Sequence, residues 1–89
     1  MNDITLFSAE LNEDLPQIDL HNAGIIPDAL EQLNKELFLF YSDNIKLCRV
    51  IHGIGTGALE RAVHEELTKN PMVVHWKKEE RGGSCLVQL

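Results

Sequence analysis

The segment His52-Gly53-Ile54-Gly55-Thr56-Gly57 places three of the chain's six glycines at alternate positions. It directly follows the apolar run Lys46–Ile51 and directly precedes the amphipathic run Ala58–Lys69. Glycine supplies left-handed backbone that other residues avoid, so this pattern reads as a strand that turns tightly into a helix. A β-turn-α unit of this kind must bury one sheet face and one helix stripe together. It therefore restricts the chain to an α/β layer architecture.

The flanking sequence extends the alternation. Gln17–His21 has Ile18 and Leu20 on one side and Asp19 and His21 on the other, the period of a strand. Asn22-Ala23-Gly24 is a turn, and Pro27 suits the first turn of a helix. In Asp28–Tyr41, Leu30, Leu33, Leu37 and Phe40 or Tyr41 recur at helical spacing. Lys46–Ile51 is apolar on both faces, as a central strand requires. Ala58–Lys69 turns Leu59, Ala62, Val63 and Leu67 inward and stops at Asn70-Pro71. Met72–Lys77 and Ser84–Leu89 read as two further strands around the polar loop 78–83. The expected fold is β-α-β-α-β-β: a two-layer α/β sandwich with both helices on one face of a mixed four-stranded sheet. The crossovers make the first strands parallel, and the short last connection makes the final pair antiparallel.

At 89 residues the chain is one domain, with residues 1–16 as an acidic N-terminal arm and 17–89 as the globular part. Leu6, Phe7, Leu11 and Leu15 could pack the arm onto the domain. The formal net charge is −6, which opposes a nucleic-acid binder, since a phosphate backbone calls for a basic footprint. However, residues 1–17 carry −4 of it, so 18–89 carry only −2 and leave room for a local cationic patch. Cys48 and Cys85 each sit in an apolar run and lack zinc-type spacing, so both read as buried free thiols. Met1–Ser8 has neither a basic start nor a long apolar stretch, and no segment reaches membrane-spanning length. The expectation is a cytoplasmic protein with no membrane partner.

Two features carry chemistry. In Asp19-Leu20-His21, strand geometry sets a carboxylate beside an imidazole, a pair that can share a proton or hold a metal. An incidental histidine on a solvated strand face is the alternative. The glycine turn offers backbone N–H groups at a helix start, a natural anion site; the alternative is a tight turn that only needs positive φ. Parallel strands put His21 and His52 at the same sheet edge, where open α/β sheets bind ligands.

Ile18-Asp19-Leu20-His21, then His52-Gly53-Ile54-Gly55-Thr56-Gly57, then Gly82-Gly83 before a strand ending Val87-Gln88-Leu89, resembles the Smr (small MutS-related) domain over residues 17–89. That family carries an L-D-x-H motif, an H-G-x-G-x-G motif and a late glycine. The resemblance implies the two-layer α/β fold and binding or nicking of DNA or RNA. It assigns Asp19 and His21 to cleavage and the His52–Gly57 turn to nucleic-acid contact. Three positions depart from the family pattern. Asn22 replaces a usual glycine, Ile54 stands where many members have Lys or Arg, and Cys85 stands where many have Thr.

The candidate catalytic residues are therefore Asp19, His21 and His52, and the candidate nucleic-acid contacts are Gly53, Gly55, Thr56, Gly57, Arg49 and Arg61. Lys77, Lys78 and Arg81 are further candidate cations, opposed by Glu79 and Glu80. Trp76 could stack on a base, although packing is its commoner role. His64 and His75 read as surface or packing residues. No metal ligand set is defined; any divalent ion, Mg²⁺ or Mn²⁺, would be weakly held by so few donors. Three function classes stay open: an endonuclease acting on DNA or RNA, a non-catalytic module binding nucleic acid or ribosome, and a protein-interaction module using the acidic arm.

Overall fold

The computed structural model describes residue 12 and residues 14–89. The elements run β1 (Gln17–Asp19), α1 (Ile26–Ser42), β2 (Leu47–Ile51), α2 (Ala58–Lys69), β3 (His75–Lys78) and β4 (Ser84–Gln88). The four strands form one sheet in the order β1-β2-β4-β3. β1 pairs parallel with β2, matching Ile18 to Val50. β4 runs antiparallel to both neighbours, matching Cys85 to Val50 on one side and to Lys78 on the other. The two-layer α/β sandwich expected from the sequence is thus the observed fold.

Strand parity builds the core. Ile18 and Leu20, Cys48 and Val50, and Cys85 and Val87 form one buried cluster with Leu33 and Leu37 of α1 and Val63 and Leu67 of α2. Both helices therefore pack on the same sheet face. Each of these leucines contributes roughly 1.5–3 kcal/mol by leaving water. Both cysteines are free and buried. Burial pushes their thiols up to about 12, so they stay protonated at neutral pH. The second sheet face carries Arg49 and Leu86, both buried, with Leu15 and Leu47 packed on Leu86. Leu6, Phe7 and Leu11 lie outside the described residues.

Three boundaries differ from expectation by two residues or more, each for a local reason. β1 ends at Asp19 rather than His21, because the chain turns there: the Ala23 N–H donates to the Leu20 carbonyl at 3.0 Å. α1 starts at Ile26 and takes Pro27 into its first turn, where no intrahelical N–H is required. β3 starts at His75 rather than Met72. Asn70 holds the intervening turn, its side-chain oxygen accepting the Met72 N–H at 2.8 Å and its carbonyl accepting the Val73 N–H at 3.1 Å. That local bonding overrides the strand preference of Val73 and Val74.

Candidate functional site

The ends of β1 and β2 meet at one edge of the sheet. Asp19 is the last residue of β1, and His21 follows in the turn. The His21 Nδ1–H donates to Asp19 Oδ1 at 2.5 Å, and the His21 backbone N–H donates to the same oxygen at 3.1 Å. Both side chains are about half exposed, at 49% for His21 and 50% for Asp19. The His21 side chain, then its backbone N–H, hold the Asp19 carboxyl below its ordinary value against a small opposing desolvation. With Nδ1 committed to the carboxylate, Nε2 is the ring position left to exchange a proton with a ligand.

Beside this pair lies a cleft of about 350 Å³, lined by His21, His52, the turn Gly53–Gly57 and Leu59. The glycines are stereochemically required. Gly53 has φ +80°, and a Cβ there would lie 3.3 Å from the His21 Cβ. Any side chain there would strain the backbone and press on His21. Gly57 caps α2 from the left-handed region at φ 86°.

The turn spends part of its donor set internally. The N–H groups of His52 and Gly53 both donate to the Gly83 carbonyl at 2.9 Å, which ties the turn to the loop before β4. Among the described residues, no hydrogen bond uses the N–H groups of Ile54, Gly55, Thr56 or Gly57. The Thr56 Oγ1 accepts the Ala58 N–H at 3.3 Å, which leaves its hydroxyl hydrogen free to donate outward. Arg61 lies exposed on the first turn of α2, and Ile54 stands at the loop tip with 78% of its surface exposed.

Of the residues singled out from the sequence, Arg49 is elsewhere, and His52 is buried in the cleft wall. Arg49 is 1% exposed and lies on the sheet face opposite the helices. Its Nε donates to Glu79 Oε1 at 2.7 Å and its Nη2 to Glu79 Oε2 at 3.2 Å, while Nη1 reaches the Asn12 carbonyl at 3.2 Å. A guanidinium held this way cannot reach a phosphate, so Arg49 leaves the set of contacts. His52 is 4% exposed, and its Nδ1–H donates to the Gly53 carbonyl at 2.8 Å. Its Nε2 is buried, so it gives no exposed acid at the cleft. Strand parity carried this signal, since His52 continues the inward series Cys48, Val50.

From the sequence Glu79 is only a loop acid; in the structure it is the buried partner of Arg49. Burial pushes its carboxyl up, but hydrogen bonds from Arg49 and Ser84, with the Arg49 and Arg81 charges, outweigh this and hold it below its ordinary value. Ser84 Oγ donates to Glu79 Oε1 at 2.6 Å. Two other cations near this loop have acidic neighbours: Lys78 Nζ lies 3.7 Å from Glu60, and Arg81 lies 3.7 Å from Glu79. Trp76 is a packing residue here, stacked on His64 at 4.5 Å and donating to Thr68 Oγ1 at 3.2 Å.

Comparison with known proteins agrees with this geometry. The family model described as the Smr domain matches residues 18–89. Endonuclease MutS2 of Halothermothrix orenii is 41% identical over 71 residues, covering 78% of this chain and 9% of that protein. Endonuclease MutS2 of Aquifex aeolicus is 39% identical over 68 residues, covering 72% and 9%. The chain thus spans about a tenth of the length of these relatives. The crystal structure of the Smr domain of Thermus thermophilus MutS2 matches with a TM-score of 0.79 at 26% identity, covering 84% of this chain and 98% of that one.

Proposed function

The chain belongs to the Smr domain family, and from that premise we propose that it binds nucleic acid at the cleft between His21 and the glycine turn and nicks the phosphodiester backbone there. The observation that carries this reading is the hydrogen-bonded Asp19–His21 pair at the rim of that cleft. The relatives named endonucleases support the reaction class.

In this reading the phosphate sits against the N–H groups of Ile54, Gly55, Thr56 and Gly57 and the N-terminus of α2. That terminus favours an anion through its orphan donors and its dipole. The Thr56 hydroxyl adds a contact from within the turn, and Arg61 one from the first turn of α2. Asp19 holds the His21 ring with Nε2 outward. His21 Nε2 takes a proton from a water molecule as the water oxygen attacks phosphorus. The phosphorus–oxygen bond to the leaving group breaks, and the imidazolium returns the proton to the departing oxygen. Asp19 stabilises the imidazolium between these steps, and such acid–base help is worth roughly 10²–10⁴-fold. A divalent ion would find two side-chain donors here, since among the described residues no third carboxylate, imidazole or thiol joins the pair. Mg²⁺ or Mn²⁺ would take its remaining ligands from water and phosphate, a weakly held arrangement.

A second reading is binding without cleavage. The exposed Ile54 favours it, because an apolar tip in place of a cation supplies no charge to the phosphate. Supercoiled plasmid and single-stranded RNA, incubated with the parent, Asp19→Ala and His21→Ala in Mg²⁺, Mn²⁺ or chelator, separate the two. Nicking abolished by both substitutions is the expected result. Binding without nicking in the parent selects the second reading, and nicking that survives both substitutions rejects the dyad.

A further inference from the structure

Behind the cleft, and separate from the Asp19–His21 pair, lies a cluster that nicking does not use. His52 at the end of β2, His64 in the middle of α2 and Cys85 in β4 each bring one ligand atom to within 4.8 Å of the other two. His52 and Cys85 are buried, at 4% and 0% exposure, and His64 is half-buried. The His52 and His64 rings meet edge to face, with centroids 5.6 Å apart. Trp76 stacks on His64, with ring centroids 4.5 Å apart.

The polar accounting is unusual. His52 Nε2 and His64 Nε2 are both buried without a hydrogen-bond partner. Buried polar atoms are nearly always paired, so two orphaned ring nitrogens beside a thiol call for a reason. The carbonyl of Gly53 can only accept, so Nδ1 of His52 carries its hydrogen and Nε2 presents a bare lone pair. An imidazole whose other nitrogen donates to a backbone carbonyl is the usual arrangement of a metal-ligating histidine.

We infer that His52, His64 and Cys85 form an interior site for a borderline or soft transition-metal ion, with Zn²⁺ as the fitting case. Two imidazoles and one thiolate are donors that zinc accepts, at roughly 2.0–2.1 Å for nitrogen and 2.3 Å for sulfur. The ligand atoms, all within 4.8 Å of one another, would draw closer still around a bound ion. The metal displaces the thiol proton, as coordination of cysteine does generally. Glu60 supplies a negative charge that acts on both His64 and Cys85, and Lys78 offsets part of it as the partner of Glu60. Three protein ligands leave the fourth position for water. The site does not depend on the nicking reading, and either can fail alone.

Cobalt titration of the chelator-treated, reduced chain tests this. Co²⁺ bound through a thiolate gives a sulfur-to-metal charge-transfer band and the strong visible bands of a tetrahedral ion. The parent is expected to take up one equivalent with that signature, and Zn²⁺ to displace it. Cys85→Thr, which installs the residue many Smr domains carry there, abolishes the band. His64→Phe keeps a ring on Trp76 and weakens binding at least tenfold. Asp19→Ala leaves the titration unchanged. Circular dichroism establishes that each variant is folded, and if Cys85→Thr is not, the parent and His64→Phe decide. A folded parent without a thiolate band overturns the site, as does a band that persists in Cys85→Thr or is lost in Asp19→Ala.

Discussion

Two acid–base pairs sit on neighbouring strands and meet opposite fates. Asp19–His21 ends β1 in the open, about half exposed, with one ring nitrogen free for a ligand. Arg49–Glu79 joins β2 to the loop after β3 and is shut in, at 1% and 0% exposure, with hydrogen bonds from Ser84 and to Asn12 closing the network. The chemistry of the two pairs is similar, but their surroundings are not. An exposed pair contributes little to stability because water screens it. A buried pair has given up its hydration, so removing one partner strands the other in a medium that cannot solvate it. The first pair keeps a ring nitrogen open to a ligand, and the second holds the β3–β4 loop against the sheet.

The comparison breaks most visibly at the buried pair. Arg49→Ala should lose about 3–5 kcal/mol of stability, read as a large fall in melting temperature. A loss under about 1 kcal/mol would mean that Glu79 finds other solvation and that the pair is not structural. The opposite signature belongs to the open pair. His21→Ala should cut nicking by about 100-fold or more while the thermal melt hardly moves. Equal losses of activity and stability would erase the distinction. Between them lies the turn that positions the cleft. Gly53→Ala meets both a φ of +80° and the His21 Cβ. It should cost about 1–2 kcal/mol and displace His21, seen as weaker nucleic-acid binding.

Acid titration sharpens the contrast with the smallest effect. Both Glu79 and Asp19 have carboxyls lowered by folding. A lowered carboxyl contributes stability that is complete above the unfolded value of about 4 and is lost as pH falls through the folded value. Glu79 is buried, so it should dominate acid unfolding. Asp19→Asn should therefore leave the acid midpoint nearly unchanged and alter stability by no more than about 0.5 kcal/mol. An acid midpoint that tracks Asp19 would contradict this.

The sequence exposed the architecture because its periods are unambiguous. Period two in Gln17–Asp19, helical spacing in Leu30–Leu37 and the glycine turn before Ala58 each admit one local structure. The start of β3 was less legible because Asn70 forms a side-chain turn that competes with the strand preference of Val73 and Val74. Within the site, Asp19, His21 and the turn could be placed from topology alone. Arg49 could not, since its fate depends on Glu79, thirty residues away and reached only through the β2–β4–β3 order. The inward turn of His52 was available from parity with Cys48 and Val50. Its meeting with His64 and Cys85 needed the packing of α2 on the sheet.

Amide NMR during titration with a short oligonucleotide tests the account at its centre, because it reads every surface of the folded chain at once. The account predicts shifts concentrated at His21, Ile54–Gly57 and Arg61, with Arg49, Glu79 and Leu86 unmoved. Shifts centred instead on Lys77–Arg81, or on the sheet face of Arg49, would place the nucleic acid elsewhere and contradict it.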